Sequence, residues 1–334
     1  MTQRAIGLIG AVDIGGTKLA VTIADASGPL AKLTQPTVKT GTADALADQV
    51  LTLLEETSRK AKVVASTITA VGVSSCGPFV RSSEGGICVS APNICGGLTP
   101  GGALPNDWTA LPLQQPLEKH YSKVVIRNDC VAALHGERMF GAVVEEPNCV
   151  YVTWSTGVGF GLCVDGNLLM GKQGNAGHAG HMLMEPDSAV RCGCGNLGDL
   201  EGLISGVNIS RGLPLDTPAL FAAAHAGEPA ALECVNAAAT WLGRALYNLV
   251  ATLDTQVFMI GGSVWQHHGA WLAPIVQKEI DRRFPTLTQG VKVIEPALGA
   301  LVADVGALSL VMPPDWVQDW RVRRPWQDVD HLPN

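Results

Sequence analysis

One glycine-rich stretch of this chain gathers a histidine, two cysteines and an aspartate. From Gly174 to Gly206 it reads GNAGHAGHMLMEPDSAVRCGCGNLGDLEGLISG, with His181 ahead of Cys192, Cys194 and Asp199, and Glu201 just beyond. Two thiolates and an imidazole closed by a fourth donor are what a tetrahedral structural zinc asks for, because metal bonds can fix a loop that has too little apolar area to fold alone. Gly193, Gly195 and Gly198 leave the backbone free to wrap an ion. Asp199 stands where a third cysteine would make a stronger set, and a carboxylate gives a more exchangeable site. The same residues also read as two buried cysteines and a surface aspartate.

Two further turns carry groups suited to phosphate. DIGGTK at 13–18 supplies Asp13, Gly15, Gly16, Thr17 and Lys18. Successive glycine N–H groups and a threonine hydroxyl converge on an anion, and an aspartate at a strand end can hold magnesium or its water. STGVG at 155–159 repeats the pattern with Thr156 and Gly157. Either turn alone also serves as a plain hairpin turn; the pair is more specific. Asn128 and Asp129 follow a short apolar strand, at the strand end where open α/β sheets place their chemistry. Asp129 reads equally as the N-cap of the next helix. Gly261 and Gly262 form a strand-to-helix turn on which adenine or ribose could lie, or simply a tight turn.

These residues need scaffolding, and the pattern around them supplies it. Residues 5–25 read as a hairpin about the first glycine turn, and 149–169 as a second one. Leu46, Val50, Leu53 and Leu54 are spaced for a helix behind a Thr42 cap, followed by a strand at 68–74. Residues 124–126 predict a strand and 131–141 a helix closed by Gly141. Residues 228–253 predict a long helix, 257–260 a buried strand before another helix, and 299–311 a final helix. The stretch from Ala91 to Trp108 holds too much glycine and proline for regular structure and reads as a mobile lid or binding loop, which makes Asn93 a candidate ligand contact.

Composition narrows the function classes. With 334 residues and 47% hydrophobic content the chain can bury real cores. A net charge of −7 without a basic stripe disfavours nucleic acid. Nine cysteines argue for reduced thiols rather than a disulfide framework. Neither a signal peptide nor an apolar run near membrane-spanning length is read, so a cytoplasmic protein with no membrane partner is expected. Arg321, Arg323 and Arg324, set among tryptophans, read as part of a tail clamped to the surface by aromatic side chains, with an anion site as the sharper alternative.

Taken together, DIGGTK, NDC at 128–130, STGVG, the GHAGHM and CGCG stretch and GGS at 261–263 resemble the ROK family of bacterial sugar kinases, from about residue 10 to 311. The resemblance implies an α/β protein with the actin-like, hexokinase-type fold, two domains around a central cleft that closes over substrate. The expected division is 1–128 and 129–298, a helix at 299–312 returning to the first domain, and a Pro/Trp-rich tail at 313–334. It implies Mg²⁺ with ATP, structural Zn²⁺ on His181, Cys192, Cys194 and Asp199, and a homodimer. Asp129 would be the general base; Asn93, Asn128, His178, His181 and Glu201 would contact the sugar. Asp13, Gly15, Gly16, Thr17, Lys18, Thr156, Gly157, Gly261 and Gly262 would hold the nucleotide and its magnesium.

Three departures stand at the substrate end: Asp199 for the usual cysteine, His178 for a glutamate, and a longer loop after Asn93 that displaces Trp108. His178 with Ser155 is similar to the family's N-acetylmannosamine kinases, which points to an N-acyl hexosamine ahead of glucose. The alternative is a non-catalytic or regulatory sugar-binding member. Family repressors carry a DNA-binding region before the first glycine turn; with twelve residues before Asp13 and an acidic overall charge, DNA binding is not expected.

Overall fold

The structure, a computed structural model, describes residues 7–99 and 102–332. The opening residues behind the signal-peptide reading, including the first two of the expected hairpin, lie outside that range, as do residues 100 and 101 of the long loop. The chain forms two units. The first comprises residues up to 144, 170–175 and 297 onward; the second comprises 145–169 and 176–296.

In the first unit, β1 (Leu8–Ile14), β2 (Lys18–Asp25) and β3 (Gly28–Pro36) form an antiparallel meander. The crossover helix α1 (Ala45–Lys60) buries Leu46, Val50, Leu53 and Leu54, then β4 (Ile68–Ser75) pairs parallel to β1. Its N-cap is Asp44, without a side-chain cap bond; Thr42 contributes only its carbonyl, to the N–H of Ala45, so the expected Thr42 cap is not made. A small sheet of β5 (Phe79–Arg81), β6 (Ile87–Val89) and β7 (Leu111–Pro112) follows, then the short helix α2 (Gln114–Glu118). The strand β8 (Lys123–Asn128) completes the main sheet in the order β3-β2-β1-β4-β8 and runs straight into α3 (Asp129–Phe140).

The second unit repeats this plan. A meander of β9 (Cys149–Trp154), β10 (Val158–Val164) and β11 (Asn167–Leu168) is followed by α4 (Leu200–Ile204), α5 (Thr217–His225) and α6 (Pro229–Leu253). Then β12 (Val257–Gly261) pairs parallel to β9, and after α7 (Ser263–Asp281) and α8 (Pro285–Thr288) comes β13 (Lys292–Ile294). The order β11-β10-β9-β12-β13 matches the first sheet strand for strand. The core of this unit joins the sheet to the apolar faces of α6 and α7, through Leu242, Leu246, Phe258, Leu272 and Val276.

The chain then rejoins the first unit. A single 3₁₀ turn at Gly299–Leu301 leads into α9 (Val302–Ser309), shorter than the expected helix, and on to α10 (Pro314–Arg323). A Cβ on Gly72 would lie 2.1 Å from Ala307 O, and one on Gly136 3.1 Å from Gly306 Cα, so small residues let α9 sit hard against β4 and α3. This packing keeps α3 in the first unit, and the division falls after Val144 rather than at the expected 128/129. The tail is helical: Trp316, Trp320 and Trp326 are buried, Trp320 Nε1 donates to Ala26 O, and Arg321 and Arg323 donate to the carbonyls of Met139, Ala26 and Ser27. These bonds spend two of the three tail arginines on backbone rather than on an anion. No helix among the described residues is long and apolar enough to cross a membrane.

Candidate active site

Because β1, β4 and β8 run parallel, their carboxyl ends share one edge of the first sheet, with Asp13 paired to Ser74 and Ser75 to Asn128. Ser74 Oγ donates to Asp13 Oδ1 at 2.9 Å. Burial pushes the Asp13 carboxyl up to about 6, against the Ser74 bond, and the charges of Asp129 and Asp304 push the same way. Asp304, on α9, is held by Thr22 Oγ1 (3.1 Å) and Lys32 Nζ (2.7 Å). Just past β4, the Cys76 thiol is raised to about 12, chiefly by burial and then by Asp129, and donates to Asn93 Oδ1 at 3.5 Å.

Asn128 is the N-cap of α3: its side chain accepts from Cys130 N at 3.0 Å. Asp129 is therefore the first helical residue and not the cap, with Oδ1 2.8 Å from the same N–H. The cap bond occupies Asn128 Oδ1 and leaves its amide NH₂ as a donor group.

The first glycine turn is closed by Gly15 N–H donating to Lys18 O (2.9 Å) and by Thr37 Oγ1 donating to Gly15 O (2.8 Å). Gly16 abuts Asn93: an added Cβ would lie 2.6 Å from Asn93 Nδ2. Lys39, which the sequence reading missed, donates from Nζ to Gly16 O (2.6 Å) and to Asn93 O (2.7 Å), tying the turn to the long loop. Hydrogen bonds stitch the described residues on either side of 100 and 101 together. Asn106 accepts from the N–H groups of Gly96 and Trp108 and donates to the carbonyls of Lys39 and Ile94, and Trp108 is buried.

In the second unit Ser155 N–H donates to Gly157 O (2.9 Å), closing the second glycine turn. Glu201, in the first turn of α4, accepts from Val158 N (2.9 Å) at one oxygen and from the Cys192 thiol (3.3 Å) at the other. It thus links this turn to the cysteine loop. Glycines press residues 177–181 onto β10: a Cβ on Gly180 would lie 2.1 Å from Val158 O. This contact sets His178 and His181 side by side, ring centroids 6.2 Å apart. Gly262 (φ +89°) begins α7 against the backbone of Trp154, where a Cβ would lie 2.5 Å from the carbonyl oxygen.

The structure brings all four proposed metal ligands together. Donor atoms of His181, Cys192, Cys194 and Asp199 lie within 4.8 Å of one another. Asp199 Oδ2 is 3.1 Å from His181 Nδ1 and 3.4 Å from Cys194 Sγ, and Cys192 Sγ is 3.8 Å from His181 Nδ1. Asp199 Oδ1 meanwhile accepts from Gly202 N (2.7 Å), so this buried carboxylate is also the N-cap of α4. Burial raises the Cys192 thiol, with the carboxylates of Glu201 and Asp199 adding to it.

Comparison with known proteins bears on this arrangement. A family model for the ROK family matches residues 9–313. A glucokinase from Pyrobaculum calidifontis is 31% identical over 309 residues, covering 90% of this chain and 93% of its own. An N-acetylmannosamine kinase from Salmonella newport is 34% identical over 262 residues, covering 76% and 82%. Among solved structures, a ROK hexokinase from Thermus thermophilus superposes with a TM-score of 0.72 at 30% identity, covering 90% of this chain and 97% of its own. The family match runs through both repeated sheets, and the curated relatives carry it across at least three quarters of the chain: the chain belongs to the ROK family, has its actin-like ATPase fold, and is one of its kinases.

Proposed function

We propose that this kinase transfers the γ-phosphoryl group of ATP to the 6-hydroxyl of a hexose or N-acyl hexosamine, with Asp129 as the general base. The observation that carries the reading is the position of Asp129: first residue of α3, on the sheet edge shared with Asp13, in a backbone conformation fixed by the Asn128 cap. A base there takes the proton of the attacking hydroxyl, worth roughly 10²–10⁴ in rate, while the rest of phosphoryl transfer is positioning and charge neutralisation.

Each glycine turn offers backbone N–H groups for phosphate oxygens, Gly16 and Thr17 with Lys18 in one, where the Gly15 N–H is spent on closing the turn, and Thr156 and Gly157 in the other, and Gly261 and Gly262 suit a nucleoside. Asp13 would hold magnesium, which when bound would supply charge neutralisation on the phosphates. The Asn128 amide donates to a hydroxyl beside the one that reacts. Asn93, His178, His181 and Glu201 complete the sugar contacts. His178 and Ser155 favour an N-acyl hexosamine, N-acetylmannosamine first and glucose next; the relatives at 34% and 31% identity stand on either side of that choice.

The four-residue cluster fits a structural zinc ion. Bonds of ~2.0 Å to nitrogen or oxygen and ~2.3 Å to sulfur make the edges of a tetrahedron about 3.3 to 3.8 Å long. Three of the six donor separations, 3.1, 3.4 and 3.8 Å, fall close to that range, and all six lie within 4.8 Å. Zinc would hold the cysteines as thiolates and would fix His181 and α4 with its Glu201. A homodimer and a cytoplasmic location belong to the same reading.

The test is ADP release with Mg-ATP against glucose, mannose, fructose, N-acetylglucosamine and N-acetylmannosamine, with metal content measured on the same sample. Turnover highest on one amino sugar or hexose is the expected result. A folded, metal-loaded sample that turns over none of the five would overturn it.

A further inference from the structure

A second charged cluster lies in the second unit, among residues that take no part in the proposed reaction. Arg244 on α6, and Arg282 and Arg283 just past α7, converge on the carboxylate of Glu279. Arg244 Nε is 3.4 Å from it and Arg282 2.7 Å, and Arg283 bonds it as well. Glu279 is buried and packed so tightly on α6 that a Cβ on Gly243 would sit 2.5 Å from its own Cβ. One carboxylate thus faces three permanent cations, and two positive charges are left over.

The surplus faces a cavity. An open space of about 450 Å³ is lined by the three arginines with Met184, Trp241, Tyr247 and Asn248, and no carboxylate among the described residues lines it. The Arg244 guanidinium lies 4.6 Å from the Trp241 ring centroid and that of Arg283 5.9 Å from Tyr247. Glu279 holds all three guanidinium groups, and the Trp241 and Tyr247 rings also hold those of Arg244 and Arg283, before any ligand arrives, which removes much of the ordering cost of binding. Arg283 Nε is buried without a hydrogen-bond partner among the described residues. An ion pair that served only to neutralise Glu279 would need one arginine.

We propose that this cavity binds a phosphate dianion, free or carried on a sugar as a monoester. Two surplus charges match a dianion, and planar forks match phosphate oxygens in pairs. The room left over, flanked by an indole and a phenol, admits a ring attached to the phosphate. The ligand chemistry has two sources, free inorganic phosphate and a phosphorylated sugar.

Isothermal titration of the full chain with inorganic phosphate, glucose 6-phosphate and, as controls, sulfate and glucose, at constant ionic strength, tests the proposal. The expected result is binding of the phosphate species that weakens about tenfold or more when Arg282→Gln and Arg283→Gln are combined, the loss expected from removing charge-assisted hydrogen bonds, with ADP release unchanged. The single variant Arg282→Gln, at the most exposed of the three, should weaken binding in the same direction without risk to the fold. Equal binding of phosphate and glucose 6-phosphate identifies the free anion. Tighter binding of glucose 6-phosphate that Trp241→Ala abolishes identifies a sugar phosphate. Titrations identical in wild type and variants would place the phosphate elsewhere and overturn the proposal, as would a change of oligomeric state in the variants, which would make this face a protein contact.

Discussion

Asp13 bears opposite demands from folding and from magnesium. Its carboxyl is protonated in folded and unfolded chain alike below the ordinary 3.8, and between 3.8 and about 6 the unfolded chain gives up its proton first. Stability from this group is therefore full below pH 3.8 and is lost as pH rises to about 6, a cost of at most about 3 kcal/mol above that point. Asp13→Asn should melt higher than wild type at pH 7.5, with the gap closing toward pH 4, while the KM for Mg-ATP rises strongly. Paired thermal melts and kinetics across that window check it; a melting difference independent of pH would refute the assignment. The residues around Asp13 also show what a sequence withholds. Lys39 reaches Gly16 and Asn93, 23 and 54 residues away, and Asn106 reaches back 67 residues to Lys39, links that no local spacing encodes. The order of Asn128 and Asp129 was legible, but which of them caps α3 depended on backbone geometry.

At the level of elements, α4 and the cysteine loop meet in Asp199, which caps the helix with one oxygen and faces the metal ligands with the other. Two substitutions separate those jobs. Asp199→Asn keeps an oxygen for Gly202 N–H and should lose metal affinity while preserving the helix. Asp199→Ala should lose both, with about 1 kcal/mol for the cap added to the loss of metal. Zinc competition against a chelator, read beside urea unfolding of metal-free protein, distinguishes them; equal metal-free stability of the two variants would contradict the cap. The donor cluster was readable because its members fall within 181–199. The closeness of Glu201 to Val158 was not, because it follows from residues 177–181 lying along β10, a contact that only the glycines at 177 and 180 hinted at.

The two five-stranded sheets share one strand order, and that duplication was visible in the two strand–glycine-turn–strand units. The division of the chain was less legible. Helix α3 belongs with α9, which follows it by some 170 residues of sequence, and the contact depends on Gly136 and Gly306, two glycines with no distinguishing pattern. The tail lies past the end of the family match at residue 313, and its aromatic side chains pack on the first unit: Phe140 and Trp326 are 4.8 Å apart by ring centroid, and Trp320 is fully buried. Trp320→Ala should cost about 3–5 kcal/mol in urea unfolding and leave kcat of the folded protein near wild type. A loss below 1 kcal/mol would mean that the tail is an appendage rather than part of the core.

The central claim is that Asp129 is the base of a sugar kinase, and Asp129→Asn addresses it most directly, since it keeps the size of the side chain and removes its proton affinity. With the sugar that wild type turns over best, kcat should fall about 10²–10⁴-fold while sugar affinity, measured by titration without nucleotide, stays within a few-fold. Turnover unchanged in the variant would contradict the account.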